Sequence, residues 1–448
     1  MTYKEYIACK MSHSLPTPVD HGEIAEHLFP FQRELVKRAL AAGRYALFTD
    51  TGTGKTAMQV EWARHVSAHG RVLILAPLAV ANQTVAEAKK FGVDAAYMRG
   101  DDKTTKIAVT NYEMLERFNA DDFIGIVLDE SSILKSYTGR TRNAIIEAFS
   151  QTQYRLAATA TPSPNDHTEL GNHSEFLGYK TRTEMLAEYF VHDGGSTQNW
   201  RLKGHAKDIF WGWVLSWAAI MSKPSDLGYA DDGFDLPALK THEHVIALDQ
   251  GIARSAGFLF IPQVTSLNEQ RAIRRSTISE RVSKANLIAR ECDSCIVWCE
   301  LNDESDEASK LIDGAVNLQG SDSLEDKERK LLGFSSGEIR VLITKPSIAG
   351  FGMNWQHCSN MVFVGPSHSF EQTYQAIRRC WRFGQEREVN VHFIRTDADG
   401  EIVKNFQRKE SSHREMMSAM AKEAESVGRK RWNSHNTTKV EAPKWLTQ

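Results

Sequence analysis

The sequence predicts an α/β protein of two parallel-sheet lobes with a helical insertion between them, and three observations predict it. Between residues 24 and 177, short apolar runs rich in β-formers alternate with helical patterns, as strands covered by helices on both faces require. The same alternation returns from about residue 284, after a stretch in which it fades. A glycine-rich loop lies directly between the first apolar run and a helical pattern, the setting in which backbone N–H groups cradle an anion.

The first lobe, residues 1–177, is expected to take strands from YALF (45–48), RVLILAP (71–77), KIAVT (106–110), IGIVLDE (124–130) and YRLAATAT (154–161). The second, residues 284–398, takes them from SCIVWCE (294–300), GAVNLQG (314–320), IRVLIT (339–344), NMVFVG (360–365) and EVNVHFI (388–394). Between them, residues 178–283 read as a helical insertion or connector rich in Trp, Gly and charge. Its DIFWGWVLSWAAIM (208–221) reads as one helix with Trp213 and Trp217 a turn apart, a core stripe in preference to a base-stacking surface. RAIRRSTISERVSKANLIAR (271–290) reads as a basic helix, a solvated face in preference to a nucleic-acid contact. Residues 399–448 read as a helical brace followed by a flexible basic tail.

Length and composition narrow the class. A chain of 448 residues has room for two or three domains of about 100–200 residues each. Its 41% hydrophobic and 25% charged residues suit a folded protein and argue against global disorder. There is no apolar run of membrane-spanning length and no secretory pattern at the start, so a cytoplasmic protein without membrane contact is expected. Six cysteines, unevenly placed, do not make a disulfide scaffold in a chain this size. A net charge of −3 excludes a uniformly basic nucleic-acid binder but leaves room for a local basic groove.

Three motifs carry chemistry. In FTDTGTGKTAMQ (48–59), Gly52 and Gly54 let backbone N–H groups turn inward, Lys55 can reach β/γ-phosphates, and Thr56 can ligate Mg²⁺. Thr49 stands where the commonest form of this loop has its first glycine. IVLDESS (126–132) ends an apolar run in two carboxylates: Asp129 suits the Mg²⁺ shell, and Glu130 suits orienting and deprotonating an attacking water. In QAIRRCWRFGQ (375–385), Arg379 and Arg382 are three apart and share a helix face, as a triphosphate transition state would recruit from a neighbouring domain.

In their order, these pieces resemble superfamily 2 helicases of the SNF2-like group through most of residues 29–395, a resemblance that implies two RecA-like lobes. PFQRELVKRAL is similar to the family's opening motif and implies adenine reading by Gln32. DTGTGKT resembles motif I, where replacement of the first glycine is common, implying ATP contacts from Thr51, Gly52, Thr53, Gly54, Lys55 and Thr56. LAPLAVANQ (75–83) and VTNYEML (109–115) imply nucleic-acid backbone contacts, assigned to Pro77, Thr110 and Asn111. TATP (159–162) resembles motif III and implies coupling through Thr159 and Thr161. KPSIAGFGMNWQ (345–356) resembles motif V, with Lys345 on nucleic acid and Gly352 on ATP; QAIRRCWRFGQ resembles motif VI, with Gln375 coupling and Arg379 and Arg382 as arginine fingers. The chain departs from the pattern at Ser131 and Ser132, which replace Ala-His, at Arg378, where an acid is usual, and at Ser347, near the usual arginine.

Two further segments invite simpler readings. CDSCIVWC (292–299) has no second pair or nearby His to complete a zinc site and reads as buried apolar thiols. HDGGSTQNWRLKGH (192–205) reads as a surface loop in preference to a DNA contact. The expectation is an ATP- and Mg²⁺-dependent translocase on DNA, most simply duplex and with low sequence specificity, with any protein partner meeting the insertion or the tail. An RNA helicase of the same superfamily and an ATP-gated DNA clamp that recruits a partner remain as alternatives.

Overall fold

The computed structural model describes residues 17–100, 103–136, 138–163, 166–192, 200–248, 267–349, 353–365, 367, 369–399, 408–409 and 411. Two parallel sheets organise them. The first is built from β1 (Arg44–Thr49), β2 (Val72–Ala76), β3 (Ala96–Tyr97), β4 (Ile107–Asn111), β5 (Gly125–Asp129) and β6 (Tyr154–Thr159), with α1 (Pro30–Ala42) before them and α2 (Lys55–Val66), α3 (Leu78–Lys90), α4 (Arg140–Ala148) and α5 (Leu170–Leu177) between or after them. Next come α6 (Arg182–Tyr189), an antiparallel pair β7 (Phe190–His192) and β8 (Trp200–Leu202), α7 (Lys207–Leu215) and β9 (Ala218–Met221). In space the first sheet runs β3-β4-β2-β5-β6-β1-β9.

The second sheet takes β10 (Leu239–Ile246), β11 (Cys295–Trp298), β12 (Ala315–Asn317), β13 (Val341–Thr344), β14 (Asn360–Phe363) and β15 (Val389–Thr396), in the order β10-β15-β14-β11-β13-β12. Its helices are α8 (Leu267–Ser276), α9 (Ile278–Arg290), α10 (Asn302–Leu311), α11 (Leu324–Ser335), α12 (Pro346–Ala349) and α13 (Phe370–Ile377). All ten expected strands are present, within three residues at each end.

Alternation across each strand makes the two-sided burial. Along β2, Leu73 and Leu75 join one core with Phe48, Leu128 and Trp217, while Val72, Ile74 and Ala76 join the opposite one with Leu35, Trp62 and Leu156. Each such side chain, fully buried, stabilises the fold by about 1.5–3 kcal/mol. The strand ends are thereby rigid platforms for the loops that leave them.

The segment 178–283 also gives a strand to each sheet. Ala218–Met221 pairs in parallel with β1 and completes the first sheet, and Leu239–Ile246 pairs with β15 and edges the second. The predicted single helix over 208–221 stops at Leu215, and Trp217 turns the chain into β9. WAAIM is apolar throughout, so its own pattern does not separate helix from strand; the open edge of β1 decides it. Trp217 is fully buried against Trp213, ring centroids 5.4 Å apart, which supports the core reading and leaves no face of Trp217 for a base.

The basic stretch 271–290 also differs from its reading. It breaks at Thr277 into α8 and α9, and two of its arginines face inward. Arg281 is fully buried, paired with buried Glu304 and bonded to the carbonyls of Val364 and Arg274; Arg274 meets Asp399. Arg275 and Arg290 are exposed. Cys295, Cys299, Cys358 and Cys380 are buried and Cys292 half-buried, and no metal-capable cluster of His, Cys, Asp or Glu occurs among the described residues. Residues 193–199 of the 192–205 loop and almost all of the 399–448 brace and tail lie outside the described residues.

Candidate active site

The phosphate loop leaves β1 and enters α2 with Gly52 and Gly54 at φ +86° and +81°. A Cβ at Gly54 would stand 2.3 Å from Gln32 Nε2, and one at Gly52 would stand 3.0 Å from Phe383 N, so only glycine fits either position. Thr49 is buried, and its hydroxyl lies 2.9 Å from that of Thr53, which donates to Asp50 O at 2.7 Å. Where the common loop has a bare glycine, this chain closes the loop with a hydroxyl pair. Lys55 is buried, its ammonium donating to Thr49 O (3.0 Å) and Asp50 O (3.1 Å). Burial lowers its pKa, opposed by Glu130, Asp50 and Asp129.

Gln32 braces this loop. Its carboxamide donates to Thr53 O (2.8 Å) and accepts from Phe29 N–H (2.9 Å). Beside it, Phe29, Phe234 and Phe383 pack edge to face or tilted at 4.7–6.0 Å, and Phe383 comes from the second lobe. Thr51 and Thr53 are buried in the loop, and Thr56 is partly exposed on the first turn of α2.

At the end of β5, Asp129 accepts from Gln59 Nε2 at 2.7 Å, and Tyr112 OH donates to its backbone carbonyl at 2.6 Å. Glu130 stands in the left-handed region at φ 53°, one of two described non-glycine residues with positive φ. Such a conformation costs of order 1–3 kcal/mol and persists where its surroundings impose it. Burial pushes the Glu130 carboxyl up to about 7, with Lys55 and Arg379 opposing the rise and Asp129 adding to it. Burial raises Asp129 as well, opposed by its Gln59 bond and Lys55.

The second lobe closes over this pair. Arg379 is buried and held by Gln375, through its carbonyl and its side-chain oxygen, both at 3.0 Å. Burial and neighbouring Arg382 bring Arg379 down to about 10, with Glu130 and Asp129 opposing. Both guanidiniums reach Met353 O at 3.3 Å, and Arg382 Nε is buried with no partner among the described residues. Thr159 Oγ1 lies 3.4 Å from Glu130 Oε2, Thr161 N–H donates to Thr159 Oγ1 at 3.1 Å, and Thr161 Oγ1 lies 3.4 Å from Glu371 Oε1. A polar chain thus runs from the first lobe's carboxylate to the second lobe.

Other expected residues fall differently. Thr110 is fully buried, its hydroxyl bonded to Met98 O, and Asn111 is buried against Tyr97 OH, so neither side chain is at the surface to meet a backbone phosphate. Pro77 caps α3 and is partly exposed, as is Lys345 at the end of β13. Gly352 lies outside the described residues. Ser131, in the altered Ser-Ser pair, hydrogen-bonds buried His173 at 3.1 Å, and burial lowers that imidazole to about 4. Gln59, Tyr112, Glu371, Tyr374 and Arg378 were not singled out as contact residues by sequence; the first has a signal, four residues beyond Lys55 on one helix face.

The donor set fits a nucleoside triphosphate with a divalent cation. Two side-chain-free turns, a buried ammonium, an unpartnered guanidinium nitrogen and two raised carboxyls, which a cation would lower, converge between the lobes. Fold and site together define a two-lobe P-loop protein. Residues 26–164 match the family described as "Type III restriction enzyme, res subunit", and residues 280–384 match the "Helicase conserved C-terminal domain". The chain is 21% identical to the putative ATP-dependent helicase/translocase YwqA of Bacillus subtilis, covering 77% of this chain and 43% of that protein. It is 28% identical to the DNA repair and recombination protein RAD26 of Saccharomyces cerevisiae over 18% of this chain and 7% of that one. The Sulfolobus solfataricus SWI2/SNF2 ATPase core, solved in complex with dsDNA, aligns over 85% of this chain and 90% of that one at 16% identity and a TM-score of 0.43.

The chain thus carries a helicase-type domain on each lobe, the pair found in superfamily 2 helicases. It spans less than half the length of these two curated relatives. No helix among the described residues is long and apolar enough to cross a membrane.

Proposed function

We propose that this chain is an ATP- and Mg²⁺-dependent translocase on nucleic acid, with duplex DNA as its track. The observation that carries the reading is the meeting, across the lobe interface, of the phosphate loop, the Asp129–Glu130 pair and the Arg379–Arg382 pair. Thr51 to Thr56 and Lys55 bind the phosphates, and Thr56 and Asp129 hold the cation. Glu130, near neutrality in pKa and beside Thr159, orients and deprotonates water. Arg379, oriented by Gln375, and Arg382 stabilise developing negative charge from the second lobe. The bound nucleotide and its cation supply the phosphoanhydride and positive charge on its oxygens.

Because acid and arginines sit on different lobes, turnover requires closure, and alternating closure and opening steps the lobes along a backbone. The name of the Saccharomyces relative, a DNA repair and recombination protein, favours DNA as the track, and a cytoplasmic location belongs to the same proposal. The test is ATP hydrolysis by the purified chain with and without duplex DNA, beside Lys55→Ala and Glu130→Gln. DNA-stimulated turnover lost in both variants supports the reading; equal turnover with and without nucleic acid contradicts it.

A further inference from the structure

Arg378 stands where the family pattern has an acid, and the structure gives it a defined contact. Its guanidinium pairs across the lobe interface with the Asp50 carboxylate, at 8% and 14% side-chain exposure. Tyr374 OH, four residues earlier on α13, donates to Asp50 Oδ1 at 2.8 Å. Arg378 lies over the Trp381 and Tyr374 rings, 4.6 and 5.3 Å from their centroids. Burial works against its charge, yet Asp50 and Tyr374 raise its pKa.

We propose that Arg378 is a positioning residue whose ion pair with Asp50 seats the second lobe on the phosphate loop and sets the register of the neighbouring arginines. This deepens, and rests on, the ATPase reading above. Asp50 is the first loop residue after β1, and it faces two ways. Its carboxylate receives Arg378, Tyr374 and the Thr51 N–H (2.7 Å), while its carbonyl receives Lys55 and the Thr53 hydroxyl. The closing contact therefore pulls on the residue that holds the phosphate-binding lysine.

The same helix makes a second contact in register. Glu371, Tyr374 and Arg378 are spaced i, i+3, i+7 on one face of α13 and its cap, and Glu371 meets Lys135 and Thr161 of the first lobe. Arg379 follows Arg378 in the chain, so fixing Arg378 limits where Arg379 can point. A surface ion pair would contribute little. A buried one, supported by a phenol and two rings, is specific in geometry and costly to break.

The test uses the full chain as Arg378→Glu, Asp50→Arg, the charge-exchanged double variant, and Arg378→Lys. It reads kcat, affinity for a fluorescent ATP analogue, and nucleotide-free amide exchange over residues 48–56. Each charge reversal is expected to lower kcat about tenfold or more, and Arg378→Glu to leave analogue affinity within about threefold and speed exchange of the loop. Arg378→Lys is expected to fall between wild type and Arg378→Glu, and the double variant to exceed both single variants in kcat and in protection. A double variant no better than the worse single one, or Arg378→Glu with wild-type kcat and exchange, overturns the proposal. If the wild type hydrolyses no ATP under any condition, the ATPase reading fails, and loop exchange alone decides the contact.

Discussion

Glu130 concentrates the proposed chemistry at the residue scale, because its left-handed backbone and its raised carboxyl come from one confined position. The carboxyl ordinarily titrates at 4.5 and in the folded chain at about 7. The folded state therefore keeps a proton that the unfolded state has lost, so ionisation penalises the fold from about pH 4.5 upward, in full above about 7. Glu130→Gln should raise Tm above that window, at about pH 8, and lose this advantage below it; a Tm difference independent of pH would contradict the assignment. As general base, Glu130 must be deprotonated, so kcat/KM of the wild type should fall about tenfold per unit below pH 7, against a flat profile if another group acts. Arg382→Ala should lower kcat about a hundredfold or more with little change in nucleotide affinity, as measured by turnover beside equilibrium binding. The acids, the lysine and the arginines were legible because each motif is compact in sequence. Gln59, Tyr112 and Glu371 were not, because their roles exist only through contacts with chain 17 to more than 200 residues away.

Elements were legible where pattern and environment agreed, and were misread where an apolar or basic run had two consistent folds. Ten strands announced themselves by composition, eight of them buried along nearly their whole length. Ala218–Met221 did not, because only the vacant edge of β1 makes WAAIM a strand. Charge was the other misleading signal: Arg281 reads as a solvated base, yet Glu304, 23 residues on, takes it into the core. That pair ties α9 to α10 and, through Val364, to the end of β14. Glu304→Ala should destabilise the chain by about 3–5 kcal/mol in denaturant melts, because it strands a buried guanidinium, and a change below about 1 kcal/mol would show the pair to be incidental. Thr110 illustrates the converse: its segment resembles a nucleic-acid contact, yet its hydroxyl is spent inside the lobe on Met98.

At the scale of the whole molecule, the two sheets share one working interface. The connection between them runs through β9 and β10, so each lobe carries part of the segment that joins it to the other. Across the interface, Phe383 rests on Gly52, Glu371 on Lys135 and Thr161, and Arg378 on Asp50, with Arg379 and Glu130 electrostatically coupled. On the proposed reading, closure brings Glu130, Lys55 and the arginines into one site, and anything that favours closure should favour turnover. A nucleic-acid track that bridges both lobes is the natural ligand to do so, with affinity carried by phosphate contacts and falling with salt. The most direct measurement is steady-state ATP hydrolysis by the intact chain with no nucleic acid, duplex DNA, single-stranded DNA and RNA at fixed salt. The account predicts low basal turnover, the largest rise with duplex DNA, and loss of that rise in Lys55→Ala. Turnover indifferent to all four conditions would contradict a nucleic-acid motor, and a rise with RNA alone would replace the track.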